Sequence, residues 1–139
     1  MAIGLVCSTF DLLHAGHMLM LADAKRQCTD LIVGLQSDAS TTPKSYRGKL
    51  KDKPIMSLVE RKILLEGNKY VDEYFVYNTE KDLLKVIKTL PDHTRILGSD
   101  WKGKKATGQE FAKKIYYHKR DHDYSTTALK DKIKKLCKK

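Results

Sequence analysis

The sequence is short of cysteine, of long apolar runs and of acidic residues, and each shortage removes a class of protein. Its three cysteines, Cys7, Cys28 and Cys137, are odd in number and show no C-x-x-C spacing, which argues against both a disulfide framework and a zinc site. Reduced thiols are expected. Cys7 closes an apolar strand and reads as a small buried hydrophobe rather than a nucleophile. No apolar run approaches the roughly 20 residues that cross a bilayer, and the N-terminus lacks a basic segment followed by a long apolar one. A cytoplasmic protein without membrane insertion is the expectation. Clustered carboxylates of the kind a dedicated metal cage uses are also missing, so no metal ligand is assigned.

The acidic shortage leaves 27 Lys+Arg against 17 Asp+Glu, a formal charge of +10 over 139 residues. Such a field draws anions, nucleic acid among them, without saying which. Part of it lies in residues 130–139, where Leu129, Ile133 and Leu136 keep helical spacing and the lysines form a solvated face. At 139 residues and 41% hydrophobic content, residues 1–139 are read as one domain with a real core.

Short apolar runs alternate with helical stretches, the pattern of a parallel sheet covered by helices. Strands are predicted at 3–7, 30–35, 74–77, 95–97 and 114–117. Helices are predicted at 16–27, with Leu19, Ala22 and Arg26 in spacing, at 57–68, with Ile63, Leu64 and Gly67 near the inner face, and at 81–89. The result is a single α/β, Rossmann-like, doubly wound domain of about five parallel strands flanked by helices. Ligands of such sheets bind beyond the C-terminal strand edges, where the strand order reverses.

At the first strand-to-helix turn stands Thr9-Phe10-Asp11-Leu12-Leu13-His14-Ala15-Gly16-His17. Two histidines around a glycine at that place can both face an anion seated on the helix's unpaired N–H groups. Surface histidines or half of a metal site are the alternative readings, which the constrained spacing disfavours. Ser125-Thr126-Thr127 opens the last helix as an N-cap and offers a second set of free N–H groups and hydroxyls. The polar stretch 36–56, with Lys44, Arg47, Lys49, Lys51 and Lys53, exceeds the usual strand-to-helix connection of about 2–6 residues and reads as a functional loop. Ser57-Leu58-Val59-Glu60 is a capping box. It puts Arg61 in a first helical turn, where a cation opposes the dipole unless an anion sits beside it. Arg61 with the basic loop is therefore the expected acceptor pocket.

The histidine turn resembles the signature of the nucleotidylyltransferase superfamily, and in particular the short cytidylyltransferases of the glycerol-3-phosphate cytidylyltransferase type. The resemblance runs on through Glu60-Arg61-Lys62, Tyr70-Val71-Asp72-Glu73, Gly98-Ser99-Asp100-Trp101 and Arg120 to Thr127. Ser8 and Asp123 depart from it, standing where that family has glycine. It implies catalytic roles for His14, His17, Lys44 and Arg120. Nucleotide contacts are implied for Ser8, Thr9, Phe10, Asp11, His14, His17, Gly98, Asp100, Trp101, Arg120, Ser125, Thr126 and Thr127, and acceptor contacts for Arg61, Lys44 and Asp38. It further implies that the first and fourth strands flank the site, that CMP passes from CTP to a small phosphomonoester such as glycerol 3-phosphate, that Mg²⁺ enters with the triphosphate, and that the protein is a homodimer. Asp11 either contributes its carboxylate or orients the turn. An adenylyltransferase using ATP and a basic nucleic-acid-binding module are the rival readings.

Overall fold

The computed structural model describes residues 2–43 and 51–138. Its strands are β1 (Ile3–Ser8), β2 (Asp30–Gln36), β3 (Glu73–Tyr77), β4 (His93–Gly98) and β5 (Lys114–His118). Among the described residues the helices are α1 (Ala15–Arg26), α2 (Leu58–Glu66), α3 (Glu80–Thr89) and α4 (Thr126–Cys137). All strand pairs are parallel, in the order β3-β2-β1-β4-β5. The order reverses between β1 and β4, the two strands that the resemblance implies flank the site.

The pleat explains how one sheet serves two cores. Val6 of β1 joins Leu21 and Ala24 of α1 and Leu65 of α2 on one face, while its neighbour Leu5 packs with Leu83 and Ile87 of α3 on the other. Successive side chains point to opposite faces, so a strand covered on both sides must be apolar throughout. β2 follows the rule, with Leu31, Val33 and Leu35 fully buried.

The helix faces differ from the spacing-based expectation. Leu21, Asp23 and Ala24 carry the buried side of α1, whereas Leu19 is 46% exposed and Arg26 lies in solvent. In Met18-Leu19-Met20-Leu21-Ala22 five consecutive apolar residues satisfy every helical phase, so periodicity could not choose one. On α2 the buried residues are Arg61 and Leu65, while Ile63 and Leu64 face outward. α4 buries no residue, and Ile133 and Leu136 remain exposed with the lysines.

Candidate active site

The turn after β1 is bent into an uncommon shape and braced from behind. Phe10 and Leu12 hold φ of 50° and 49°, a left-handed conformation that costs a non-glycine residue of order 1 kcal/mol and persists only where the surroundings impose it. Three groups impose it. The Phe10 ring is buried in the core, the Asp11 carboxylate accepts the Ile55 and Met56 N–H groups at 2.8 and 2.9 Å, and Arg61 donates to the Thr9 carbonyl at 3.0 Å. Thr9, Phe10 and Asp11, of which nucleotide contacts were expected, thus orient the turn and are not among the residues that line the crevice. Of the two roles open to Asp11, the carboxylate takes the orienting one.

What the turn delivers is a helix start capped by its own histidines. His14 is the N-cap of α1 and its Nδ1 accepts the Gly16 N–H at 3.0 Å, while Nδ1 of His17 accepts the His14 N–H at 3.1 Å. A backbone N–H can only donate, so both Nδ1 atoms are unprotonated and each neutral ring carries its proton on Nε2. The ring centroids stand 3.9 Å apart. Burial, with the Arg120 and His122 charges, holds His14 below its ordinary value. Burial first, then His14 and Arg120, pushes His17 down to about 4 against the opposing pull of Asp11. At neutral pH both rings are therefore uncharged N–H donors.

A pH dependence of stability follows. The unfolded His17 binds a proton near 6.5 and the folded one only near 4, so between these values the unfolded chain carries more protons. Stability therefore falls as pH drops from 6.5 towards 4, by about 3 kcal/mol for this group. Urea unfolding at pH 7 and pH 4.5 measures the loss. His17→Gln keeps an acceptor at this helical position but does not titrate, and is expected to remove most of it; an unchanged pH dependence in that variant refutes the assignment.

The opposite wall comes from the far half of the chain. A crevice of about 810 Å³ opens between the C-terminal ends of β1 and β4 and the first turn of α4. It is lined by Ser8, His14, His17, Gly98, Asp100, Trp101, Arg120, Ser125, Thr126 and Thr127, all expected at the site. Ser125 caps α4 by accepting the Ala128 N–H at 3.0 Å, leaving other first-turn N–H groups for a ligand. The Thr126 hydroxyl donates to the Asp11 carbonyl at 3.3 Å and ties the two walls together. Arg120 donates to the Tyr124 carbonyl at 3.0 Å, folding the segment before α4 over the histidine turn. Gly16 is required there, because a Cβ would stand 2.8 Å from His14 Cε1 and 3.0 Å from both His122 Cε1 and the Tyr124 carbonyl. At Gly98 a Cβ would meet Asp100 Oδ1 at 2.6 Å, so a side chain there would require the Asp100 carboxylate to shift.

The expected acceptor set is not assembled. Lys44 lies outside the described residues, as do Arg47 and Lys49. Asp38 caps a 3₁₀ turn through Ser40 and does not reach the crevice. Arg61 is 2% exposed; its guanidinium donates to the carbonyls of Met56 (3.2 Å), Thr9 (3.0 Å), Gln36 (2.7 Å) and Ser37 (2.6 Å). This corrects the reading of an open anion site. The partners that offset its place in a first turn are four backbone oxygens at the ends of β1 and β2 and in the loop before α2.

Two features carried no sequence signal. A cavity of about 170 Å³ adjoins the crevice, sharing Ser8, Lys51, Trp101 and Lys105 with it and adding Tyr77, Glu80 and Arg95. Across the crevice, Asp23 of α1 accepts from Tyr116 Oη at 3.0 Å and pairs with His118 Nδ1 at 2.7 Å. Burial pushes the Asp23 carboxyl up, but the hydrogen bonds from His118 and Tyr116 outweigh it and hold the group below its ordinary value. Burial raises the Cys7 thiol, in keeping with a packing residue.

For a divalent cation, the described residues contain no group of three or more His, Cys, Asp or Glu side chains suited to hold it. Asp11 is occupied by two N–H groups, and Asp100 is the carboxylate that lines the crevice. That set fits a Mg²⁺ carried in by phosphates, which needs only one or two protein carboxylates.

The model of the family described as Cytidylyltransferase-like matches residues 5–132. The chain belongs to this family. Among curated relatives, the bifunctional protein HldE of Helicobacter pylori (strain ATCC 700392 / 26695) is 40% identical over 92% of this chain, and that of Campylobacter concisus (strain 13826) is 35% identical over 90%. The chain spans only 27% and 25% of those two proteins. The relatives are thus HldE proteins, not the glycerol-3-phosphate type to which the motifs pointed. The lipopolysaccharide core biosynthesis protein of Thermoplasma volcanium superposes with a TM-score of 0.56 at 25% identity, covering 98% of this chain and 88% of its own. A bifunctional NMN adenylyltransferase/ADP ribose pyrophosphatase of Francisella tularensis, complexed with AMP and a manganese ion, gives 0.64 at 13% identity, covering 94% and 41%; at that identity the likeness is one of fold. No described helix is long and apolar enough to cross a membrane.

Proposed function

We propose that this cytidylyltransferase-like domain transfers a nucleotidyl group from a nucleoside triphosphate to a phosphomonoester, releasing pyrophosphate. The observation that carries the reading is the pairing, across one crevice, of two helix N-termini with two histidines whose backbone-capped Nδ1 atoms commit Nε2–H to donation. In-line attack on the α-phosphorus builds negative charge on its equatorial oxygens and on the departing pyrophosphate, and fixed donors aimed there lower the barrier. An oxygen of the acceptor phosphate forms the new P–O bond as the bond to the β-phosphate breaks. The acceptor is already ionised, so no general base is needed. His14 and His17 donate to the α-phosphate, the first turn of α4 and Arg120 hold the outer phosphates, and Mg²⁺ when bound neutralises part of the triphosphate charge.

For the nucleotide we favour ATP over the CTP suggested by the motifs. The support is that the relatives given above, at 40% and 35% identity, are HldE proteins rather than the cytidylyltransferases that the motifs suggested. For the acceptor, the cavity beside Ser8 replaces Arg61: it borders the nucleotide crevice and offers Lys51, Arg95 and Lys105 to a phosphate and Glu80 to hydroxyls. The Thermoplasma neighbour is a lipopolysaccharide core biosynthesis protein, and such cores are built from sugars, so we infer a phosphorylated sugar. The homodimer implied by the resemblance belongs to the same proposal, and light scattering at assay concentration checks it.

Pyrophosphate release, assayed with ATP, CTP, GTP and UTP against glycerol 3-phosphate and a panel of sugar phosphates, tests the reading. ATP is expected to exceed CTP by about tenfold or more in kcat/KM, the scale of one or two base contacts. CTP ahead of ATP restores the cytidylyl reading, and silence with every pair refutes nucleotidyl transfer.

A further inference from the structure

The nucleotidyl-transfer reading leaves unassigned a charged, buried constellation on the crevice wall: Asp23, Tyr116 and His118. His118 closes β5, is nine-tenths buried, and lines the crevice beside the apolar side chains of Val6, Met20 and Ile96. Its Nδ1 stands 2.7 Å from Asp23 Oδ2, and its Nε2 has no hydrogen-bond partner among the described residues. A buried ring nitrogen without a partner destabilises the fold unless a ligand supplies one.

The tautomer decides what that ligand must bring. Asp23 also accepts the Tyr116 hydroxyl through both oxygens at 3.0 Å, so its carboxylate acts as acceptor throughout. His118 Nδ1 must therefore carry the proton, which leaves Nε2 of the neutral ring an acceptor. This is the reverse of His14 and His17, whose Nδ1 atoms accept. One crevice thus holds three histidines set to donate, His14, His17 and His122, whose Nδ1 accepts the Tyr124 N–H at 3.2 Å, and one set to accept. The donors sit where the helix terminus gathers phosphate, whereas the acceptor sits among apolar side chains, where the flat face of a base is the part of a nucleotide that fits.

We propose that His118, held in its tautomer by Asp23, reads the exocyclic amine of an amino base, adenine foremost and cytosine by the same chemistry, and disfavours bases with a keto oxygen there. His118 would touch the ligand; Asp23 is a positioning residue. A keto oxygen facing Nε2 sets acceptor against acceptor, and a site built to pair with a donor rejects a ligand lacking it.

The test rests on the nucleotide reading but is scored separately from it. Binding of ATP and ITP, which differ at the amine position, is measured by titration calorimetry, with pyrophosphate release followed alongside. The parent is expected to bind ATP about tenfold or more tighter than ITP, the value of one buried hydrogen bond made or lost. His118→Phe keeps a ring and is expected to bring the ratio towards one. Asp23→Asn is expected to lower it too, because an asparagine amide can donate to Nδ1 and turn Nε2 into a donor suited to a keto oxygen. A His118→Phe protein that melts like the parent and keeps its ATP:ITP ratio overturns the inference. Where that variant does not fold, purine riboside triphosphate, which lacks only the amine, decides on the parent protein: affinity equal to that of ATP overturns it. Amine-dependent binding without pyrophosphate release supports this inference and sinks the transferase reading. Release without amine preference sinks only this inference, and no binding by any of these nucleotides overturns both.

Discussion

An Arg61→Ala protein is expected to lose about 3–5 kcal/mol of stability, because the change removes a buried guanidinium and strips donors from four buried or part-buried carbonyl oxygens. The guanidinium sits where the ends of β1 and β2 meet the loop before α2, bonded to the carbonyls of Thr9, Gln36, Ser37 and Met56. Thr9, Ser37 and Met56 lie outside the strands and helices and Gln36 is the last residue of β2, so the regular backbone bonding supplies no ready replacement. Arg61→Lys retains the charge, but a compact ammonium with three donors cannot span four carbonyls spread around a planar fork, and about half the loss should remain. Urea unfolding followed by circular dichroism reads both variants. A parent-like midpoint for Arg61→Ala, with only the acceptor KM raised, returns the residue to the acceptor pocket.

Removing either histidine donor is expected to lower turnover by roughly 10²-fold or more, the cost of one preorganised donor at a developing charge. Because His14 and His17 also cap α1, alanine at either position mixes two effects, the lost cap alone costing about 1 kcal/mol of stability. His14→Asn keeps an N-cap acceptor and His17→Gln keeps one at the third helical position, yet neither presents an N–H where the imidazole Nε2 stood. Both should fold like the parent at pH 7 and release pyrophosphate about 10²-fold more slowly, with nucleotide affinity changed less. Release at the parent rate by either folded variant removes that histidine from the mechanism.

The sequence was most readable where one interaction dominates. Short apolar runs marked all five strands to within two residues at either end, since the buried faces of the sheet are mostly apolar, although β4 also buries His93 and Arg95 and β2 buries Gln36. The Ser57–Glu60 capping box and the Ser125 cap were visible because their partners lie three residues apart. The phases of α1 and α2 were not, because Met18 to Ala22 offers every phase at once and α2 hides an arginine while showing Ile63. Arg61 was correctly singled out as a cation needing partners, but carbonyl oxygens have no letter in the sequence, so an anionic ligand was assigned what backbone provides. Asp23 and His118 are 95 residues apart; only the addition of β5 beside β4, within reach of α1, brings them together.

The strand order has a consequence for a chain emerging from a ribosome. β1, β2 and β3 form one side of the sheet from the first 77 residues, so that half can pair before the remainder is synthesised, as N-terminal units do when they fold first. Until β4 arrives, the free edge of β1 is an exposed row of unpaired N–H and C=O groups beside Val6 and Leu5, open to pairing with a neighbouring chain. At translation rates of about 5–20 residues per second, the 15 residues between Tyr77 and His93 leave that edge open for roughly 1–3 seconds. A nascent chain stalled in this interval would hold both histidines of the turn but no opposing wall, and is the species most in need of a chaperone.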